Sequence, residues 1–362
     1  MTIDSTSRLQ AVDLFCGGGG LTVGLKEAGF SVVGAVEIEP HAASTYQVNH
    51  RNTKLFVQDI RHLKGKDLLA LTDSGYLDLL AGCPPCQGFT SLTSKYRRED
   101  PRNELVNEML RLIEETHPKA VMMENVPGLA NRGKTLLEPM VNRLRKLGYE
   151  VNMGVLQVAD YGVPQFRKRL VLLAGHGFKI ELPEPTHSRD GKARQKWQTV
   201  RETIGHLPQP LTFSEAKRRG AFPTLDWHVV RDIAPRNLRR LQAAKPGESW
   251  RTIPAELRPP CHQGEYKGFS NVYGRMNWED VSPTITGGCT TLSKGRFGHP
   301  EQDRTISVRE AAKLQTFPDD YVFDTPYMDY VCKIIGNALP CNFATAVSAQ
   351  CRKTLETNSD RD

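Results

Sequence analysis

The chain has 362 residues, 39% hydrophobic and 25% charged, with a formal net charge of +7. That balance excludes a disordered or fibrous protein, and no apolar run approaches the ~18 residues of a membrane span. Eight scattered cysteines show no regular spacing. The polar N-terminus "MTIDSTSRLQ" lacks an apolar signal segment, so free thiols in the cytoplasm are expected.

The first part alternates strand-like and helix-like segments. "AVDLF" is a short apolar strand that runs into "CGGGG", and the helix candidate "LTVGLKEAG" follows. "SVVGAVE" is the next strand and "PHAASTYQVNH" the next helix. "YLDLLAG" and "KAVMMEN" are further strands, with the strongly periodic helix "NELVNEMLRLIEETH" between them. "GKTLLEPMVNRLRKLG" is another helix, ending at Gly148 as a C-cap. This alternation predicts an α/β fold with a mostly parallel sheet covered on both faces. "VNMGVLQVADYGV" and "RLVLLAG" predict an antiparallel edge hairpin. Near residue 180 the rhythm is lost. Between residues 185 and 260 there are fifteen Lys/Arg against seven Asp/Glu, a footprint suited to a polyanion or to an ordinary solvated face. Helix signal returns at "SVREAAKLQTF", with Ser307 as N-cap and Glu310 as its capping-box partner. "VCKIIGNALPCNFATAVSAQCRK" closes the chain with a helix. Three stretches follow from this pass: 1–178, a smaller irregular domain at 179–303, and a returning segment at 304–362.

The Gly-rich turn of "DLFCGGGGLTVGL" lets a ligand approach the backbone closely. Glu37 ends the next strand, where a carboxylate can accept hydrogen bonds from ribose hydroxyls. The spacing does not fit a phosphate-cradling loop, so the expected ligand is adenosyl-bearing but not a nucleoside triphosphate. Cys83-Pro84-Pro85-Cys86 fits C-x-x-C: a redox pair, half of a zinc site, or one nucleophile beside a bystander. Zinc would need two more ligands at recognisable spacing, and no metal is expected. A zinc deaminase would need His-x-Glu upstream and Pro before the first cysteine, where this chain has Gly82. A dithiol pair is harder to exclude. Against it stands the rest of the machinery. Glu124 ends a strand and should share the carboxyl edge of the sheet with the Gly turn and Cys86. Arg167 and Arg169 precede or begin another strand, and alternation predicts one face for both.

The motifs "DLFCGGGG", "VEIE", "QDI", "GCPPCQGFT", "RNEL", "ENVPGL", "QFRKR", "RTISVREAAKLQTFPD" and "GNALP" run in one order over nearly the whole chain. In this the chain resembles the DNA (cytosine-5)-methyltransferases, of the bacterial or phage type. The resemblance implies a Rossmann-like S-adenosylmethionine-dependent methyltransferase fold. The stretch 1–178 would be catalytic and cofactor-binding, 179–303 would recognise the target, and 304–362 would complete the catalytic domain. Cys86 would be the nucleophile that adds to C6 of a flipped-out cytosine. Glu124 would contact N3 and the exocyclic amine, Arg169 would hold the base O2, and Arg167 would help order the site. For the cofactor, Phe15, Gly17, Gly19 and Gly20 would surround the methionine and adenine parts. Glu37 would take the ribose, Ile38 would pack on adenine, and Asp59 with Ile60 would take the adenine amine and ring edge. Pro85, Leu105, Asn337 and Ala338 would complete the pocket. "SLTSKYRREDPRNEL" resembles a loop that closes over DNA. The chain departs from the family pattern at Cys341, where a second proline is common, and at Cys16, read as structural.

The expected substrate is double-stranded DNA, methylated by a monomer at a specific short sequence. A cognate restriction endonuclease acting separately is compatible with this. The alternative is a tRNA cytosine-5 methyltransferase. That branch shares "PPCQ" and "ENV" but carries a Cys-Phe-Thr tripeptide that is absent here.

Overall fold

A computed structural model describes residues 8–85, 104–220, 226–263 and 269–359. The described residues divide into two compact units. One lies within Met1–Tyr161, Lys168–Pro185 and Leu339–Asp362, and the other within Gly162–Arg167 and Thr186–Ala338.

In the first unit, strands and helices alternate: β1 (Gln10–Leu14), α1 (Gly20–Glu27), β2 (Ser31–Glu37), α2 (Pro40–Asn49), β3 (Lys54–Val57), α3 (Gly65–Leu69), β4 (Leu79–Gly82), α4 (Leu105–Thr116) and β5 (Ala120–Asn125). Then come α5 (Pro127–Asn131), α6 (Lys134–Lys146), β6 (Tyr149–Gln157) and β7 (Lys168–His176). The seven strands lie in the order β3-β2-β1-β4-β5-β7-β6. The first five are parallel, and β7 runs antiparallel to both β5 and β6. The expected parallel sheet and antiparallel edge hairpin are both present.

Strands β1, β4 and β5 are buried along their whole length. Helices cover both faces of a parallel sheet, so its central strands read as mostly apolar runs. Helix α4 presents Val106, Met109, Leu112 and Ile113 at helical spacing to a core that also holds Val12, Leu80, Val121 and Leu172. Gly148 follows α6 at φ 91°, a left-handed position that glycine adopts at little cost.

The second unit is built from short helices: α7 (Val200–Ile204), α8 (Phe213–Arg218), α9 (Pro235–Ala243), α10 (Val308–Leu314) and α11 (Met328–Asn337). Two-residue strand pairs accompany them. The Ser307–Glu310 capping box forms as expected, with Ser307 Oγ accepting from Glu310 N and Glu310 Oε2 accepting from Ser307 N. Arg304 clamps the same carboxylate with two bonds of 2.7 and 2.8 Å.

The closing segment differs from expectation. Instead of one helix there are two, because Pro340 has no N–H to continue the ladder. Helix α11 belongs to the second unit and α12 (Cys341–Ser359) to the first. The stretch 304–338 thus groups with the second unit, whereas the sequence reading placed it with the first. Helix α12 returns onto α1 so closely that a Cβ at Gly24 would lie 2.4 Å from Ala344 Cβ. Arg352 Nη1 donates to Ala28 O at 3.0 Å. Among the described residues no helix is long and apolar enough to cross a membrane.

Candidate active site

Register places the chemistry at one edge of the first unit's sheet. Leu14 pairs with Val36 and Gly82, and Gly82 pairs with Met123. The residues that follow, Phe15, Glu37, Cys83 and Glu124, therefore stand side by side where the parallel strands end. This carboxyl edge is where open α/β sheets bind ligands.

Strand β1 leaves the sheet through Phe15 at φ 61°. A left-handed backbone at a bulky residue is strained, and such strain is concentrated at functional turns. Gly17 and Gly19 follow at φ 53° and 95°, and Gly20 opens α1. Nothing lies within 4 Å of where a Cβ on Gly17 would sit. Glu37 brackets this turn to β2. Its Oε2 accepts from Gly17 N at 2.9 Å, and its Oε1 accepts from the backbone N–H of Ile38 and Glu39. Two carboxylate oxygens offer four acceptor positions, so one remains for a ligand hydroxyl. Burial raises the Glu37 carboxyl above its usual range. Beside it Ile38 is 61% exposed, an apolar side chain held out from the fold.

Asp59 accepts from Arg61 N and pairs with the Arg61 guanidinium at 3.0 Å. The Arg61 N–H, ahead of its charge, draws the Asp59 carboxyl down. Ile60 turns its side chain into the core, so only its backbone faces a ligand. Leu105 opens α4 half-buried against the same core.

Sequence reasoning passed over Asp13, the acid directly before the Gly-rich turn. It is fully buried, and its Oδ2 accepts from Thr22 Oγ1 at 2.6 Å. Its Oδ1 has no hydrogen-bond partner among the described residues. Burial pushes its pKa up to about 7. An acid near the end of a strand that runs into a glycine turn was the available signal. Its burial was not visible, because that depends on how α1 packs. Open space above Gly17, one acceptor position on Glu37 and an exposed Ile38 together fit an adenosyl ligand carrying an amino-acid end.

On the other side of the edge, Glu124 is 8% exposed and Arg169 Nε lies 2.5 Å from its Oε1. The antiparallel course of β7 creates this pair. Glu124 faces Val171 and Asn125 faces Leu170, so Arg169 arrives where β5 ends. Asn125 Nδ2 donates to Pro84 O at 3.0 Å, tying the start of the cysteine loop to the same strand. Pro85 is the last described residue of that loop, half-buried. Burial, then the charge of Glu124, pushes the Cys83 thiol well up, so it stays protonated. A protonated thiol is a poor nucleophile. Cys86 and residues 91–103 of the expected loop lie outside the described residues.

Strand β7 begins at Lys168, so strand alternation does not reach Arg167, which belongs to the second unit. Arg167 is buried there, and its Nη1 donates to Ile285 O and Gly336 O. The neighbouring Gln165 side chain is also buried, donating to Gln315 Oε1 at 2.7 Å and accepting from Ile285 N at 2.9 Å. Asn337, which is exposed, and Ala338, half-buried, also lie in the second unit, at the end of α11. Among the described residues no cluster of three or more His, Cys, Asp or Glu is arranged to hold a metal ion.

A family model described as C-5 cytosine-specific DNA methylase matches residues 9–353. The Type II methylase M.HgiDII of Herpetosiphon aurantiacus is 39% identical over 95% of this chain and 95% of its own. The Type II methyltransferase M1.HphI of Haemophilus parahaemolyticus is 35% identical over 94% of this chain and 86% of its own. In fold, the chain is similar to the S. pombe Dnmt2 methyltransferase, with a TM-score of 0.65 and 21% identity over 97% of this chain and 100% of that one. The chain belongs to the C-5 cytosine-specific DNA methylase family.

Proposed function

We propose that this protein methylates C5 of cytosine within a specific short sequence of double-stranded DNA, with S-adenosylmethionine as methyl donor. The observation that carries the reading is the buried Glu124 carboxylate, held by Arg169 at the same sheet edge as the Gly17–Glu37 bracket. Bound there, S-adenosylmethionine supplies an electrophilic methyl group. The Gly17–Gly20 turn takes its amino-acid end, Glu37 its ribose and Ile38 its adenine, with Asp59 and the Ile60 backbone at the ring edge. Phe15, Pro85, Leu105, Asn337 and Ala338 complete the contacts.

The target carbon is inaccessible inside a base stack, so the cytosine is flipped out at a cost of roughly a few kcal/mol. Cys86, as thiolate, adds to C6. Glu124 takes up a proton as the base binds, donates it to N3 and accepts from the exocyclic amine, which draws electron density off the ring and favours that addition. Arg169 orients Glu124 and holds the base O2. Electron density then accumulates at C5, which takes the methyl group. S-adenosylhomocysteine is left behind, and loss of the C5 proton to solvent, return of the N3 proton and departure of Cys86 as thiolate restore the ring. Arg167 acts at one remove, by fixing backbone in the second unit, which supplies the target recognition. The enzyme acts as a monomer, with any cognate endonuclease separate from it.

The test offers duplex DNA and tRNA with a methyl-labelled donor, then maps the product by bisulfite sequencing. Duplex DNA should take the label at one short sequence. Cys86→Ala should abolish covalent trapping on 5-fluorocytosine DNA, and Cys83→Ser should retain most of it. Label in tRNA alone, or equal trapping by wild type and Cys86→Ala, would overturn the reading.

A further inference from the structure

Helix α9, PRNLRRLQA, carries three arginines and no acidic residue. One of the three is structural. Arg240 is 6% exposed; its Nε donates to Leu257 O and its Nη1 to Asn237 Oδ1, both at 2.7 Å. Its guanidinium also lies 5.4 Å from the centre of the Tyr273 ring. A further buried arginine, Arg275, grips the C-terminal end of the helix. Its Nε donates to Leu241 O and Ala244 O, and its Nη1 to His299 O and Gln302 O. The last turn of α9 is thus held in the second unit by two groups that cannot lose their charge.

The remaining two arginines have no such employment. Arg236 and Arg239 are exposed, and neither has a hydrogen-bond or ion-pair partner among the described residues. Three residues apart on a helix, they lie side by side, where like charges repel. Arg236 also stands in the first turn, where the helix's own partial positive charge opposes a cation. Both placements work against the helix unless an anion is brought to it. A run of phosphates is such an anion, and arginine's planar fork matches phosphate oxygens.

We propose that the α9 face bearing Arg236 and Arg239 is where the second unit grips the phosphate backbone of duplex DNA. This rests on the reading of the protein as a DNA methyltransferase. The contacts carry affinity and register rather than sequence, since phosphates are alike at every base pair. Each guanidinium seated on a phosphate releases condensed counterions, which makes the contact countable from its salt dependence.

The experiment measures equilibrium binding of the full chain to a cognate and a scrambled duplex between about 50 and 200 mM salt. Replacing both residues (Arg236→Ala with Arg239→Ala) should flatten the slope of log affinity against log salt by about 1.8, from ~0.9 per lost phosphate contact. The change should be the same on both duplexes, and lysines at both positions should restore the slope. Both side chains are exposed and their charges oppose the helix, so the unfolding temperature should not fall. An unaltered slope would sink the proposal, as would weakening confined to the cognate duplex, which would make α9 a base reader. Wild type that binds neither duplex in a salt-dependent way would instead remove the DNA reading on which the proposal stands.

Discussion

Arg169→Met removes one partner of a nearly dry ion pair. The two side chains are 13% and 9% exposed, with Nε and Oε1 2.5 Å apart. Stranding a buried charge in this way costs about 3–5 kcal/mol. Water reaches the edge of the pair, so the low end, about 3 kcal/mol, is the expected value. The first unit spans roughly 200 residues, for which 1 kcal/mol moves the midpoint by about 2–4 °C, giving a fall of about 6–12 °C. Glu124→Gln strands the arginine instead, which among the described residues keeps its bond to Lys168 O at 2.8 Å. The double variant removes both charges, and its cost should drop to about 1 kcal/mol, since a buried pair replaced whole is close to neutral. The cycle should therefore show coupling of about 2 kcal/mol or more. Calorimetry with amide exchange in β5 and β7 is the suitable assay. Trp197, Trp227, Trp250 and Trp278 all lie in the second unit, so fluorescence would report the wrong part of the chain. Coupling below about 0.5 kcal/mol would refute the argument. It would mean that solvent carries both charges, and that Arg169 does not hold the Glu124 carboxylate for a base.

Asp13 predicts a pH dependence of stability. Folded, it keeps its proton up to about pH 7; its ordinary value is 3.8. The folded state therefore holds the extra proton between these values, and stability should fall as pH rises from about 4 to 7 and level off above. A raise of roughly 3 units corresponds to about 4 kcal/mol over that window. Asp13→Asn should remove this part of the slope in calorimetric scans across pH, and a slope identical to wild type would show that Asp13 is not its source. Ile38→Ala should raise KM for S-adenosylmethionine about tenfold, from loss of roughly 1.5 kcal/mol of apolar burial against adenine. Because Ile38 is already 61% exposed, the melting temperature should hold. A fall in melting temperature with KM unchanged would contradict the adenine contact.

What the sequence made legible was whatever a single segment decides for itself. Strands β1, β4 and β5 read as short, mostly apolar runs because they are buried on both faces. Strand β3 was missed because an edge strand of four residues, none fully buried, leaves no such run. Helix α9 was hidden by its own arginines, since the face that buries Leu241 is narrow and the rest reads as a charged loop. The site divides in the same way. Glu37 and Glu124 were found at the right edge because parallel strands all end on one side, so strand order alone brings their last residues together. Arg167 and Arg169 were misjudged because their spacing invited an alternation argument that holds only inside a strand, and the chain passes from one unit to the other between them. Asp13 was visible as a letter but not as a buried acid. Its pKa depends on how tightly α1 closes over it, and α1 is in turn pressed down by α12, more than 300 residues away in sequence. A residue's type and local register thus announce which chemistry is on offer. Whether that chemistry is dry, charged or oriented is settled by segments remote in the chain, so the electrostatics of this site could be read only from the fold.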